Sequence, residues 1–199
     1  MTDFGCLAPD RTREVLAARP VTVLPAAIRS WAAALATAPG PHAAYGYLPT
    51  IAAERAAALR AALPPWAAVC FALKANGFGP VLRALGTVVD GFEVSSPHEL
   101  DAARAAHRDE RPLLLASGPA KRDGLHDALL AAGGTINVES ALELHRAAAA
   151  GRRAGRRATV AIRVNPRRVP VTGSLTMGGA PSPFGVPEED VPALLAAAR

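Results

Sequence analysis

Gly91-Phe92-Glu93-Val94-Ser95-Ser96-Pro97-His98-Glu99-Leu100 contains a complete strand-to-helix transition. Gly91–Val94 has the length and apolar content of a buried strand. Ser96 is a helix N-cap, and Pro97 takes the first helical position, where its missing N–H costs nothing. The same punctuation recurs on both sides of it. Strand-like runs are predicted at Ala67–Leu73, Leu113–Ala116, Thr135–Val138 and Thr159–Val164. Helix-like segments are predicted at Val81–Leu85, Pro97–His107, Arg122–Ala131 and Ala141–Ala150, the last opened by Ser140, with a further one at Glu188–Ala198. Between the predicted strand ends Lys74, Val94, Ser117, Val138 and Val164 the unit length is 20, 23, 21 and 26 residues. A βα unit of this size, repeated, requires right-handed crossovers and a parallel sheet. Either a (β/α)8 barrel or an open doubly wound sheet satisfies that pattern.

Outside the periodic stretch, Thr50–Leu63 reads as a helix stopped by Pro64-Pro65. Further upstream, Pro9, Pro20, Pro25, Pro39 and Pro41 bracket one predicted helix, Ala26–Ala36, with Trp31 on its apolar side. The expected organisation is a Pro/Ala-rich appendage over 1–44 and a periodic domain over 45–199. Of 199 residues, 46 are Ala and half are apolar, so the core is expected to be close-packed and thin. The composition excludes a disordered chain, a collagen-like chain and a disulfide scaffold, since Cys6 and Cys70 are the only cysteines. Cysteine usage fits a reducing compartment, no run approaches the roughly 18–20 apolar residues of a membrane span, and the N-terminus lacks a secretory apolar core. A cytoplasmic setting is the expectation, with no membrane partner. The net charge of +5 raises the question of nucleic acid. The densest basic run, Arg152, Arg153, Arg156 and Arg157, has no interleaved aromatics and reads as a solvated helix end, so no nucleic-acid partner is expected.

In either architecture functional groups sit at the carboxyl ends of the strands, here Lys74–Gly79, Glu93–Ser96, Ser117–Lys121, Asn137–Ser140 and Arg163–Pro166. Lys74 ends the run Val69-Cys70-Phe71-Ala72-Leu73. An ammonium at the end of a buried strand is either a snorkelling surface group or an amine with a task, and an amine of lowered pKa is what a Schiff-base nucleophile requires. The glycines Gly77, Gly79, Gly118, Gly178 and Gly179 form no Rossmann or Walker fingerprint and read as tight turns. His98, His107, His126 and His145 lack metal-ligand spacing and are expected on the surface or on helix faces, with no metal site. Cys70 is expected to be an inert core thiol.

Phe71-Ala72-Leu73-Lys74-Ala75-Asn76 resembles the Tyr-Ala-Val-Lys-Ala-Asn motif of the fold-type III pyridoxal-phosphate decarboxylases, which include ornithine, arginine and diaminopimelate decarboxylases. The likeness continues in register. Gly91–Leu100 is similar to the family's Gly-Phe-Asp-Val-Ala-Ser-x-x-Glu-Leu, Ile136–Ser140 to its Val-Asn-Val-Glu-Ser, and Val160–Pro166 to its Val-x-Leu-Arg-Val-Asn-Pro strand. Leu175–Val186 most resembles the branch associated with siderophore biosynthesis and carrier-linked amino acids. Pro183 stands where ornithine and diaminopimelate decarboxylases usually have Lys, a departure from both substrates. The resemblance covers about residues 45–199 and implies a (β/α)8 barrel of the alanine racemase kind. It implies Lys74 as the amine joined to pyridoxal 5′-phosphate, Arg163 near the cofactor ring and its carboxylate partner, and Glu93 and Glu99 in the adjoining polar network.

The same resemblance implies more barrel than this chain carries. It calls for further βα units and a β-domain, a stacked His, a Gly-rich phosphate loop, a ring-nitrogen carboxylate, and Cys and Tyr groups donated across a homodimer. The expectation is therefore a barrel truncated to about its first five βα units, its function the decarboxylation of an amino acid or amino-acid conjugate. The alternatives are a non-catalytic half-barrel that needs a complementary chain, and a pyridoxal-phosphate racemase or carrier.

Overall fold

The computed structural model describes residues 24–40, 43–167, 178–179 and 182–198. The Leu175–Met177 part of the last motif lies outside them. The chain divides into two compact units, Met1–Gly46 and Tyr47–Arg199. The described part of the first holds one helix, α1 (Ala26–Thr37), with no buried residue.

The second unit opens with α2 (Pro49–Ala62), followed by β1 (Cys70–Ala72), α3 (Gly79–Leu85), β2 (Gly91–Val94), α4 (Pro97–Ala106) and β3 (Leu113–Ala116). Next come α5 (Asp123–Ala131), β4 (Thr135–Val138), α6 (Ala141–Ala154) and β5 (Thr159–Ile162). Two short strands, β6 (Val164–Asn165) and β7 (Val186–Pro187), and α7 (Val191–Ala197) complete it. Strands β1 to β5 form one sheet in the order 1-2-3-4-5, every neighbouring pair parallel. A doubly wound sheet reverses its strand order at a switch point, and this sheet never does, so the winding is that of a barrel wall.

Register explains the two faces. Phe92 lies beside Leu114, Val94 beside Ala116, Ala116 beside Ile136, and Val138 beside Ile162. These side chains point to one face and, with Ile162 only partly covered, are buried under Leu100, Ala103, Leu125, Leu129, Leu144 and Ala147 of the helices. Because side chains alternate along a strand, Cys70, Ala72, Glu93, Leu115, Thr135, Asn137 and Ala161 share the other face. That face is small, polar and partly open. The thin core predicted from Ala content is visible at Gly91, where an added Cβ would lie 1.8 Å from the Leu113 carbonyl oxygen.

Several predicted boundaries shift for identifiable reasons. The run Ala67–Leu73 yields only Cys70–Ala72 as strand: at its start Ala67 N–H donates back to the Pro64 carbonyl and Val69 N–H to Asp90 Oδ2, and at its end Leu73–Ala75 tightens into a 3-10 turn closed by Asn76 N–H donating to the Leu73 carbonyl at 3.0 Å. Lys74 therefore stands on a turn beyond the strand. The run Thr159–Val164 breaks at Arg163, after which Val164 and Asn165 leave the sheet to pair with Val186 and Pro187. Helix α6 continues four residues past Ala150, to Ala154, and stops at Gly155 in the left-handed region, φ 61°. Of the histidines expected on the surface or on helix faces, His107 is off both and His126 is on a helix face, but the inward one. His107 is buried, its Nε2 3.0 Å from the Val89 carbonyl and its ring edge-on to Phe92. His126 is wholly buried in α5.

Candidate functional site

The polar residues converge at the carboxyl ends of β1 to β5. The 3-10 turn presents Lys74 with its side chain 64% exposed, and Lys74 Nζ donates to Glu93 Oε1 at 2.9 Å. Glu93 comes from the polar face of β2, in register with Ala72, so the strand pairing itself sets the two groups side by side. Asn76 Oδ1 accepts from Phe78 N–H at 2.9 Å and holds the loop between the lysine and α3. Burial, assisted by the Asp90 and Glu93 carboxylates, pushes the Cys70 thiol up to about 11, which keeps it neutral and unreactive.

Two helix starts at this end use the same device. Ser96 Oγ accepts from Glu99 N–H at 3.2 Å while Glu99 Oε2 accepts from Ser95 N–H. Ser140 Oγ accepts from Glu143 N–H at 3.2 Å while Glu143 Oε2 accepts from Glu139 N–H at 2.7 Å. Each serine caps its helix and each glutamate fixes the approaching chain. Glu99 thus has a structural partner set in the Ser95–Ser96 turn rather than a direct contact with Lys74.

At the far side of the sheet, Arg163 Nη1 lies 3.2 Å from Glu139 Oε2, and the guanidinium carbon sits 5.0 Å from the centroid of the Phe184 ring. Phe184 reaches it because Val186 N–H donates to the Arg163 carbonyl at 2.7 Å, which folds the Phe184-Gly185-Val186 segment back on β6. Gly185 is required there, with φ 82° and the Arg163 carbonyl 2.9 Å from where a Cβ would be. Glu139 Oε1 also accepts from Gly118 N–H at 2.7 Å, and Asn137 Nδ2 donates to Ser117 Oγ at 2.6 Å.

Sequence reasoning placed Lys74, Glu93 and Arg163 at this end, and the structure pairs Lys74 with Glu93 and Arg163 with Glu139. It missed the weight of Lys121, which is 2% exposed and pairs with Glu143 Oε1 at 2.9 Å and Glu139 Oε1 at 3.8 Å. Its Nζ also donates to the Gly118 carbonyl. The signal was positional only, since Lys121 closes the group after the third strand. No cluster of His, Cys, Asp or Glu among the described residues could hold a metal ion, and no helix among them is long and apolar enough to cross a membrane.

A barrel wall carrying an amine, carboxylates and a guanidinium at its strand ends is the layout of a cofactor-binding α/β domain. The sequence pattern described as "Pyridoxal-dependent decarboxylase, pyridoxal binding domain" matches residues 50–199, and the chain belongs to that family. Its cofactor is pyridoxal phosphate. Diaminopimelate decarboxylase of Aquifex aeolicus is 33% identical over 143 residues, 71% of this chain and 34% of the relative. The 2-[(L-alanin-3-ylcarbamoyl)methyl]-2-hydroxybutanedioate decarboxylase of Staphylococcus aureus is 30% identical over 141 residues, 70% of this chain and 35% of the relative. Diaminopimelate decarboxylase from Helicobacter pylori, complexed with L-lysine, superposes with a TM-score of 0.67 at 23% identity, over 84% of this chain and 42% of that one, a likeness of fold. The chain thus spans about a third of the length of these two curated relatives. The donor set fits the cofactor: an exposed primary amine suits an aldehyde, and a partly exposed guanidinium suits an anionic group.

Proposed function

We propose that this chain carries the lysine side of a decarboxylase site acting on an amino acid or amino-acid conjugate. The observation that carries the reading is the Lys74–Glu93 pair, 2.9 Å apart at the carboxyl ends of β1 and β2 in a pyridoxal-binding domain. Lys74 would hold the cofactor, Arg163 would lie beside it, and Glu93 would complete the pocket. The 1–44 segment is read as an appendage to this domain. Pyridoxal phosphate, when bound, supplies the electron sink for the carbanion left as CO2 departs.

The protein's own contribution is positional. A lysine on a 3-10 turn braced by a sheet keeps its Nζ in one place, and Glu93 Oε1 is the acceptor set to take a proton from that nitrogen when it becomes a nucleophile. Arg163, shared between Glu139 and the Phe184 ring, is fixed as a cation at the opposite wall. The conjugate substrate class is supported by Pro183 in place of the lysine usual in ornithine and diaminopimelate decarboxylases, and by the staphylococcal relative, whose name gives a substrate that joins alanine to a hydroxybutanedioate.

The test is absorbance of the purified chain with added pyridoxal phosphate, then borohydride reduction and peptide mapping. A pyridoxyl label on Lys74, lost in Lys74→Ala while the fold persists, is expected. A folded wild-type chain labelled elsewhere or not at all would overturn the reading.

A further inference from the structure

Four charged side chains meet between the loops after β3, β4 and β5: Lys121, Glu139, Glu143 and Arg163. Two are carboxylates and two are cations, so the set is neutral as drawn. Lys121, Glu139 and Glu143 are each at least 95% buried. In such surroundings charge balance decides geometry, because an unmatched charge is costly and the nearest mobile partner is drawn in to meet it. Lys121 is fully engaged, holding Glu143 at 2.9 Å, Glu139 at 3.8 Å and the Gly118 carbonyl. Arg163 is not. Among the described residues it makes one carboxylate contact, through Nη1, and its side chain remains 31% exposed.

We infer that Lys121 is a positioning residue for Arg163. By satisfying Glu143 it leaves the guanidinium a single carboxylate to balance, and so holds it over Phe184 with part of its side chain open to an anionic ligand. The inference rests on reading Arg163 as a cofactor-side group. Without the Lys121 charge, Arg163 is the cation that the described residues leave to two buried carboxylates, and it is pulled toward them. Gly118 makes the link between units direct, since its N–H serves Glu139 while its carbonyl serves Lys121. Its φ of 111° lets the loop present both groups to that cluster.

The test uses arginine side-chain NMR of the cofactor-free chain together with titration by pyridoxal phosphate. In Lys121→Met the Arg163 Nε–H signal should move and exchange more slowly with water, and pyridoxal phosphate affinity should fall by about tenfold or more. The pair Lys121→Met with Glu143→Gln restores balance and should return both signal and affinity toward wild type, a rescue that a merely packing role does not give. An unmoved Arg163 signal in folded Lys121→Met, or a double variant as impaired as the single, overturns the inference. Should Lys121→Met fail to fold, Glu143→Gln alone moves the Arg163 signal the opposite way, toward faster exchange, and an unmoved signal there is equally fatal. A wild-type chain that takes up no pyridoxal phosphate overturns the cofactor reading alone. The Arg163 signal, recorded without cofactor, then decides the positioning role.

Discussion

Lys121 and His126 lie five residues apart and illustrate opposite fates of a buried polar group. Lys121 is surrounded by acceptors, whereas neither ring nitrogen of His126 has a hydrogen-bond partner among the described residues. Burial pushes the His126 pKa down, against the pull of Glu143, so the folded protein keeps the ring neutral. The sign follows from where the proton binds first. With the folded value below the unfolded one near 6.5, the unfolded chain takes up the proton earlier, so the stability that His126 allows is intact at neutral pH. It is lost as pH falls below about 6.5. Replacing His126 by Leu should therefore flatten the loss of Tm between about pH 6.5 and 5 and, by removing two unpartnered nitrogens, add about 1 kcal/mol at neutral pH. Thermal unfolding across that range checks it, and an acid limb as steep as wild type would place the titration elsewhere. Neither residue was legible from sequence beyond its address. The stretch Ser117-Gly118-Pro119-Ala120-Lys121 reads as the loop after a strand and His126 as one position of a helix, and only the fold brings Glu139 and Glu143 against Lys121.

At the level of elements, the two capped helix starts carry one pattern with unequal consequences. Glu99 braces its turn near the surface, while Glu143 is 5% exposed and also neutralises Lys121. Truncating Glu99 to Ala should cost about 1 kcal/mol or less, the scale of a cap. The same change at Glu143 should cost about 3–5 kcal/mol, because it strands a buried ammonium. Urea unfolding of the two variants measures the difference, and equal midpoints would mean that Lys121 finds another partner. Strands β2, β3 and β4 were readable to the residue because each is a short apolar run bounded by turn residues and flanked by a capped helix. β1 and β5 were overread for a shared reason. Apolar content continued past the point where backbone pairing stopped, at the Leu73–Ala75 turn and at Arg163, and composition carries no record of which partner a backbone N–H will find. Those two misread ends are also where the Lys74 and Arg163 side chains are delivered.

For the molecule as a whole, helices cover one face of the sheet and the other, lined by Cys70, Ala72, Glu93, Leu115 and Asn137, is only partly buried. Strands β2, β3 and β4 each have a neighbour on both sides, whereas β1 and β5 flank the five-stranded sheet. Hydrogen exchange of the chain should accordingly be slowest in Phe92–Val94, Leu114–Ala116 and Ile136–Val138 and faster in β1 and β5, and a uniform profile would contradict the described pairing. The βα repeat by itself left barrel and open sheet alike, because strand order is a property of space and the repeat is the same for both, and it was the motif resemblance that pointed to the barrel. The order has a temporal consequence. Within the five-stranded sheet each strand from β2 onward pairs with the one made just before it, so this wall can be laid down unit by unit as the chain leaves the ribosome, each βα turn finding its surface already in place.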